Sequence, residues 1–254
     1  MRPIVVAMLL CALVGTPAVA QDGDAGGNEC IEAAGSVAPD FALPRVAQAI
    51  AGKKLDIAVI GSASSELSGP AGTNIAYPTS LEKTLSSLLP GVAVKVTTYA
   101  RPRETASEMQ ASFEHVLGGS KPALVIWQTG TADALRGIDP DEFRASLDDG
   151  IDKLRAAETD IVFVNMQYSP RIEAMLGVSP YADTMRLVAV QREAVLFDRF
   201  AIMKRWNEGG IFDLYRATRT TNIAEKVHGC LGRLLADVVM EGAKMAPPPA
   251  KSVN

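Results

Sequence analysis

The feature that most constrains the fold is the alternation of short apolar runs with longer segments of helical periodicity. Most of these runs are apolar along nearly their whole length, which is typical of parallel strands buried on both faces. Strands are predicted at 55–60, 92–96, 123–128, 161–165 and 195–197, and helices at 79–89, 105–117, 139–158, 181–194 and 222–240. Because helices separate successive strands, we predict an α/β fold, a three-layer α/β/α sandwich with a mainly parallel five-stranded sheet.

The strand ends indicate where a functional site should lie. In an open parallel sheet, ligands bind at the carboxyl ends of the strands. The segments that follow the first three predicted strands are 61–64, 99–101 and 130–133, with the sequences Gly-Ser-Ala-Ser, Tyr-Ala-Arg and Gly-Thr-Ala-Asp. We therefore expect the functional residues to be among them.

The N-terminus has the composition of a secretory signal peptide. Arg2 precedes an apolar run at 4–14, and Ala18-Val19-Ala20 fits a signal-peptidase site. The run is too short to span a bilayer, and no later stretch is long and apolar enough to do so. We predict a signal peptide at 1–20 and a mature protein that is periplasmic or secreted, without a transmembrane segment.

The mature chain divides into three predicted parts. An N-terminal extension at 21–52 is tied down by Cys30, an α/β domain occupies 53–241, and a Pro-rich flexible tail occupies 242–254. A length of about 230 residues is sufficient for one well-packed core.

Two cysteines remain after Cys11 leaves with the signal peptide. Cys30 and Cys230 stand near opposite ends of the mature chain. In an oxidising compartment an even pair most simply forms a disulfide. The alternative, a reactive thiol pair, lacks both CxxC spacing and a nearby basic cluster.

Composition and motifs argue against several functional classes. The formal net charge of −4 is mild and no Lys/Arg stripe is present, which argues against nucleic acid as a partner. No cluster of His, Asp and Glu residues has metal-ligand spacing, and no Gly-rich loop has the residues of a phosphate-binding loop. We expect no metal and no cofactor.

Several short motifs, taken in order, resemble those of the SGNH (GDSL-type) ester hydrolase superfamily. The motifs are 57–62, Tyr77-Pro78, 122–128, Gly130-Thr131 and 199–203. The first strand ends in Gly-Ser-Ala-Ser, close to the Gly-Ser-Ser-Ser of a branch of exported bacterial members. The resemblance covers nearly the whole mature chain and implies the SGNH-hydrolase-like, flavodoxin-like sheet.

The resemblance also identifies the positions that should carry the chemistry. The superfamily needs a serine after the first strand, a C-terminal Asp-x-x-His and oxyanion donors after the second and third strands. In this chain the nucleophile position holds Ala63, the oxyanion positions Ala100 and Ala132, the histidine position Asn222 and the aspartate position Arg219. Only the backbone N–H of Ala100 can still donate. The resemblance therefore implies a divergent member that lacks the catalytic residues.

A binding function follows from this expectation. We predict a non-catalytic protein (a pseudoenzyme) of the bacterial cell envelope that binds a glycan, an anionic small molecule or a protein partner. If the fold brings arginines together around the superfamily's catalytic pocket, they would form an anion-binding rim, because guanidinium groups bind oxyanions through two hydrogen bonds. The alternative is that these arginines are independent and solvated. The candidate ligand-binding residues are Ser62, Ser64, Arg101, Arg103, Thr131, Arg219 and Asn222. A purely structural partner that acts through its surface is a further alternative.

The opposing hypothesis is a weak hydrolase of esters with a displaced catalytic set. Ser62 or Ser64 would be the nucleophile and His228 the base, because 225–228 imitates Asp-x-x-His spacing. The other histidine, His115, is placed on the predicted helix after the second strand, away from the strand ends. A packing or surface role is the simpler interpretation of His228.

Overall fold

The structure is a computed structural model that describes residues 25–67, 69, 71–215 and 221–247. The predicted signal peptide, Arg219 and the end of the predicted tail lie outside these residues. The described part contains one five-stranded sheet, parallel throughout, in the order β2-β1-β3-β4-β5. The strands are β1 (Lys54–Gly61), β2 (Ala93–Ala100), β3 (Leu124–Gln128), β4 (Asp160–Val164) and β5 (Val195–Phe197). The predicted fold class and the predicted strands are confirmed.

Helices cover both faces of the sheet. They are α1 (Ala25–Ala33), α2 (Pro44–Ala51), α3 (Ala63–Glu66), α4 (Gly72–Ile75), α5 (Tyr77–Leu88), α6 (Ala106–Gly119), α7 (Thr131–Arg136), α8 (Pro140–Ala156), α9 (Pro170–Leu176), α10 (Ser179–Gln191), α11 (Arg199–Glu208) and α12 (Thr221–Met245). Since β1 lies between β2 and β3, right-handed crossovers from β1 to β2 and from β2 to β3 run on opposite faces. Accordingly, α12 packs with α5 and α2 on one face, and α8 packs with α6 and α10 on the other.

The central strand β3 shows how the sequence produces this packing. All its side chains are buried, including that of Trp127. Phe113 of α6 meets the Trp127 ring edge-on, with 4.9 Å between ring centroids. A Cβ atom on Gly150 would overlap the same ring, so α8 approaches the sheet closely because this residue has no side chain.

The predicted disulfide between Cys30 and Cys230 is confirmed, and it joins α1 to α12 across a sequence separation of 200 residues. The backbone carbonyl of Cys30 also accepts a hydrogen bond of 2.7 Å from the indole N–H of Trp206 on α11. The first helix is therefore held against two helices of the domain.

The edges of the predicted domain differ in detail from the observed elements. The extension at 21–52 contains α1 and α2, and the last helix continues to Met245, beyond the predicted start of the tail at 242. Helix α11 was not predicted, although it follows β5 directly and begins at the arginine discussed below. No helix in the described part of the chain is both long and apolar enough to cross a membrane.

Candidate ligand-binding site

Three serines after β1 surround one buried amide at the carboxyl edge of the sheet. Gln128 is the last residue of β3 and is fully buried. Its Oε1 lies 3.1 Å from the Ser62 backbone nitrogen and 3.0, 3.1 and 3.0 Å from the hydroxyls of Ser62, Ser64 and Ser65. A Cβ on Gly61 would overlap the Ser65 hydroxyl, so the turn that brings these serines under the strand end requires glycine there.

A buried arginine reaches the same cluster from the far side. Arg199 is 1% exposed, and it donates from Nη1 to the Ser64 hydroxyl and from Nε to the Asn165 carbonyl, both at 3.0 Å. The amide of Asn165 orients the start of α11, because it accepts from Phe200 N and donates to the Asp198 carboxylate at the helix cap. Local hydrogen bonds after β4 and β5 therefore aim the guanidinium at the serines.

The charge of Arg199 is not balanced by a neighbouring acid. No carboxylate among the described residues lies within ion-pair distance of its guanidinium. Burial lowers the pKa of Arg199 to about 10, which still leaves the group protonated at neutral pH. The cluster thus contains a buried, uncompensated cation.

Unpaired polar atoms accompany this cation. Among the described residues, the buried side-chain atoms without a hydrogen-bond partner are Gln128 Nε2, Thr129 Oγ1 and Arg199 Nη2. Two of these atoms belong to Gln128 and Arg199, whose side chains already contact the Ser64 hydroxyl. Buried polar groups in folded proteins are nearly always paired, so this concentration at one strand edge is a functional signal.

The imidazole near the serines is engaged elsewhere. His228 on α12 is 6% exposed, stacks on the Tyr77 ring and accepts the Tyr77 backbone N–H at Nδ1 over 3.1 Å. The Tyr77 hydroxyl in turn hydrogen-bonds with Ser65 Oγ at 3.0 Å. Burial, aided by the charge of Arg199, lowers the pKa of His228 to about 3. The ring is therefore neutral at pH 7, and its proton belongs on Nε2, because Nδ1 is the acceptor.

The structure brings some of the predicted site residues together. Ser62 and Ser64 both contact Gln128, and the exposed Ala63 lies between them. Ala100 is the last residue of β2 and pairs in register with Gly61 on the adjacent strand. The predicted nucleophile and first oxyanion positions therefore lie on neighbouring strand ends.

Other predicted positions are more scattered. Thr131, half-buried, and Ala132, buried, form the first turn of α7 after β3. Asn222 is exposed in the first turn of α12, and Arg219 is outside the described residues. The assignment of these positions to a ligand site stays a prediction.

The two described arginines of the predicted rim contact residues of the loop after β2 and of α7. Arg101 is exposed and pairs with Glu104 at 3.4 Å. Arg103 is also exposed, and its carbonyl accepts a hydrogen bond of 2.6 Å from Arg136. The arginine that does reach the serines is Arg199, which the sequence analysis treated only as part of a motif.

A buried aspartate ties two of the strand-end loops together. Asp133 on α7 accepts the backbone N–H of Ala106 with both carboxylate oxygens, at 3.0 and 3.2 Å. Burial raises the pKa of this carboxyl. Ala106 begins α6, whose start is also fixed by a capping box between Thr105 and Glu108. The loops after β2 and β3 are thus held as one unit beside the serine cluster.

The polar side chains at the described strand ends do not form a metal site. The described residues contain no group of three or more His, Cys, Asp or Glu side chains that could hold a metal ion. The polar groups gathered at the strand ends are hydroxyls, amides and one guanidinium, and these suit an organic or oxyanionic ligand better than a metal.

This parallel five-stranded sheet with helices on both faces has the α/β fold of the SGNH-type hydrolases. The model of the non-GDSL lipase-like family matches residues 29–245. The chain therefore belongs to the non-GDSL lipase-like family.

Solved structures show the same fold. The chain is similar to TesA (24% identity, TM-score 0.52, covering 70% of this chain and 99% of that one). It is also similar to a catalytic mutant of Axe2, an acetylxylan esterase from Geobacillus stearothermophilus (18%, 0.58, 73% and 94%), and to the psychrotrophic esterase EstA from Pseudoalteromonas sp. (14%, 0.55, 73% and 96%). Comparison with curated proteins found no match. At these identities the likeness carries the fold and not the activity.

Proposed function

We propose that this protein is a non-catalytic member of its family, exported to the bacterial cell envelope, that binds a ligand at the carboxyl edge of the sheet. The observation that carries the proposal is the engagement of His228. Its Nδ1 accepts a backbone N–H, and its pKa of about 3 keeps it uncharged. A serine hydroxyl becomes a useful nucleophile when a nearby base takes its proton, and this imidazole offers no basic nitrogen for that task.

The environment of the serines supports the same conclusion. Their hydroxyls contact an amide oxygen, a guanidinium and a phenol, of Gln128, Arg199 and Tyr77 respectively. None of these groups is a general base at neutral pH. Removal of the serine or histidine of a catalytic triad costs on the order of 10⁶ in rate, so a cleft with neither would be a negligible esterase.

The runner-up is the weak hydrolase that uses Ser62 or Ser64 with His228. One contact favours it, because the guanidinium of Arg199 donates to Ser64 Oγ and would stabilise an alkoxide there. The step still lacks a proton acceptor, and this is why we place it second.

The ligand is proposed as a glycan, an anionic small molecule or a protein partner of the envelope. Hydroxyl and amide groups at the cleft suit a polyhydroxylated or oxyanionic ligand. The similarity to an acetylxylan esterase makes an acyl-decorated glycan a reasonable first compound to test. Export is proposed on the signal-like N-terminus, and the Cys30–Cys230 disulfide supports an oxidising compartment.

A hydrolysis assay separates the two hypotheses. Nitrophenyl acetate would be offered to the wild type and to Ser62→Ala, Ser64→Ala and His228→Ala. We expect the wild type to match the variants and a buffer blank. Turnover by the wild type that disappears in one serine variant and in His228→Ala would establish the hydrolase instead.

A pull-down addresses the remaining alternative. Capture of one envelope protein that persists in Ser62→Ala and Ser64→Ala would place the function on another surface. Capture that is lost in these variants would support the strand-end cleft.

A further inference from the structure

The serine cluster offers Gln128 Oε1 more hydrogen-bond donors than this oxygen can accept, and it leaves two buried N–H groups unpaired. Gln128 Oε1 faces one backbone N–H and the hydroxyls of Ser62, Ser64 and Ser65. A carbonyl oxygen has two lone pairs, so it cannot satisfy four donors at once. The Nη1 of Arg199 adds a further donor to Ser64, and Gln128 Nε2 and Arg199 Nη2 donate to nothing. Two buried N–H donors of this cluster therefore lack an acceptor.

The cluster also lacks a negative charge. Burying a cation is unfavourable unless a counter-charge compensates it. The described residues offer Arg199 two neutral acceptors, the Ser64 hydroxyl and the Asn165 carbonyl. A group that supplied acceptors alone and a negative charge would correct both deficits.

We infer that Ser62, Ser64, Gln128 and Arg199 form a binding site for an oxyanion, the carboxylate or phosphate oxygens of a ligand. This inference rests on the proposed function and names the chemical class of its ligand. Carboxylate and phosphate share acceptor oxygens and a negative charge, and guanidinium groups bind both through two parallel hydrogen bonds.

The exposure of the turn gives the anion its route. Ser62 and Ser64 are partly exposed and Ala63 is exposed, whereas Arg199, which contacts Ser64, is buried. Rotation of the Ser64 hydroxyl away from the guanidinium would let an oxygen at the surface reach both. Since Nη2 is joined to Nη1 through one carbon atom, the unpaired nitrogen lies beside this contact. The other possible occupant is a buried water, which would pair the donors but leave the charge unbalanced.

Anion-dependent stability tests this site. The unfolding midpoint of the wild type would be followed against millimolar sodium acetate and, separately, sodium phosphate, with chloride holding the ionic strength constant. A bound anion raises the midpoint saturably. We expect such a rise with at least one anion, and the two series show whether a planar or a tetrahedral oxyanion fits.

Three variants locate the effect. Arg199→Lys keeps the positive charge but removes the pair of guanidinium N–H groups that can bind two oxygens. Ser64→Ala removes one hydroxyl with little change in volume. We expect each to weaken the anion at least tenfold. Arg171→Gln replaces an exposed arginine on α9; this variant is the matched control and should bind as the wild type does.

Several results would overturn the inference. These are a wild-type midpoint that does not respond beyond the chloride series, a response that survives in both Arg199→Lys and Ser64→Ala, or one that is lost in Arg171→Gln. The last would indicate an adventitious ion only. If neither anion binding nor ester hydrolysis is found, the protein is non-catalytic but binds another ligand. If the wild type binds an anion saturably and also hydrolyses the ester, the proposed function is refuted and the anion site stands.

Discussion

A buried histidine that is neutral in the folded state makes stability sensitive to acid. The ordinary pKa of a histidine is about 6.5, whereas burial beside Arg199 lowers the pKa of His228 to about 3. Between these values the unfolded chain binds a proton that the folded protein does not bind. The stabilisation is therefore present above pH 6.5 and is lost as the pH falls toward 3.

The magnitude follows from the width of this window. Each pH unit inside it is worth about 1.4 kcal/mol, so lowering the pH from 7 to 5 should cost about 2 kcal/mol through His228 alone. The effect has to be isolated, because Asp160, whose pKa burial raises to about 6, contributes with the opposite sign. The test is therefore a comparison with a variant at both pH values.

His228→Asn is the suitable variant, because its side-chain oxygen can replace Nδ1 as the acceptor of the Tyr77 N–H. Urea unfolding at pH 7 and pH 5 should show that this variant loses about 2 kcal/mol less than the wild type over that interval. The chain contains two histidines, and His115→Asn on the exposed face of α6 is the control that should retain the wild-type loss. Equal losses in wild type and His228→Asn would refute the reasoning, and would make His228 available as a base.

Three further substitutions test the packing around the site by chemical denaturation. Replacing Cys30 and Cys230 with serine opens a loop closed across 200 residues and should cost 2 to about 5 kcal/mol; an unchanged midpoint would mean that the bridge does not form in the protein. Gly61→Ala pushes a methyl group into the serine beneath it and should destabilise by about 1–3 kcal/mol; neutrality would contradict the close turn. Asp133→Ala leaves the buried Ala106 N–H unpaired and should cost about 1–3 kcal/mol; a smaller effect would show that water replaces the carboxylate.

The fold was predictable because its signal is repeated. Five apolar runs separated by helices indicate a parallel sheet. The runs that became β1, β3 and β4 are largely buried, as the pattern implies, whereas the edge strand β2 is only partly buried. Helix α11 was not predicted from the sequence, because residues 199–208 mix buried and charged side chains without a clear apolar stripe. The connection of Cys30 to Cys230 followed from there being two cysteines in the mature chain.

The site was predictable only in part. Ser62 and Ser64 were found because they follow a strand, and strand ends meet at one edge of the sheet. Gln128 and Arg199 also end or follow strands, but each sits inside an otherwise apolar motif, and the sequence did not indicate that they face the same point. Their meeting depends on the strand order, which places β1 beside β3, and on the hydrogen bonds of Asn165 after β4. Arg101 and Arg103 were easier to notice, but Arg101 pairs with Glu104 of its own loop and the Arg103 carbonyl accepts from Arg136 of α7.

The central claim is that no hydroxyl in this cleft is an activated nucleophile. A fluorophosphonate probe reacts with such a hydroxyl and adds a fixed mass to the protein. Intact-mass spectrometry after incubation at neutral pH should find the wild type unmodified. A stoichiometric adduct that maps to the turn at 62–65 and disappears in Ser62→Ala or Ser64→Ala would contradict the account.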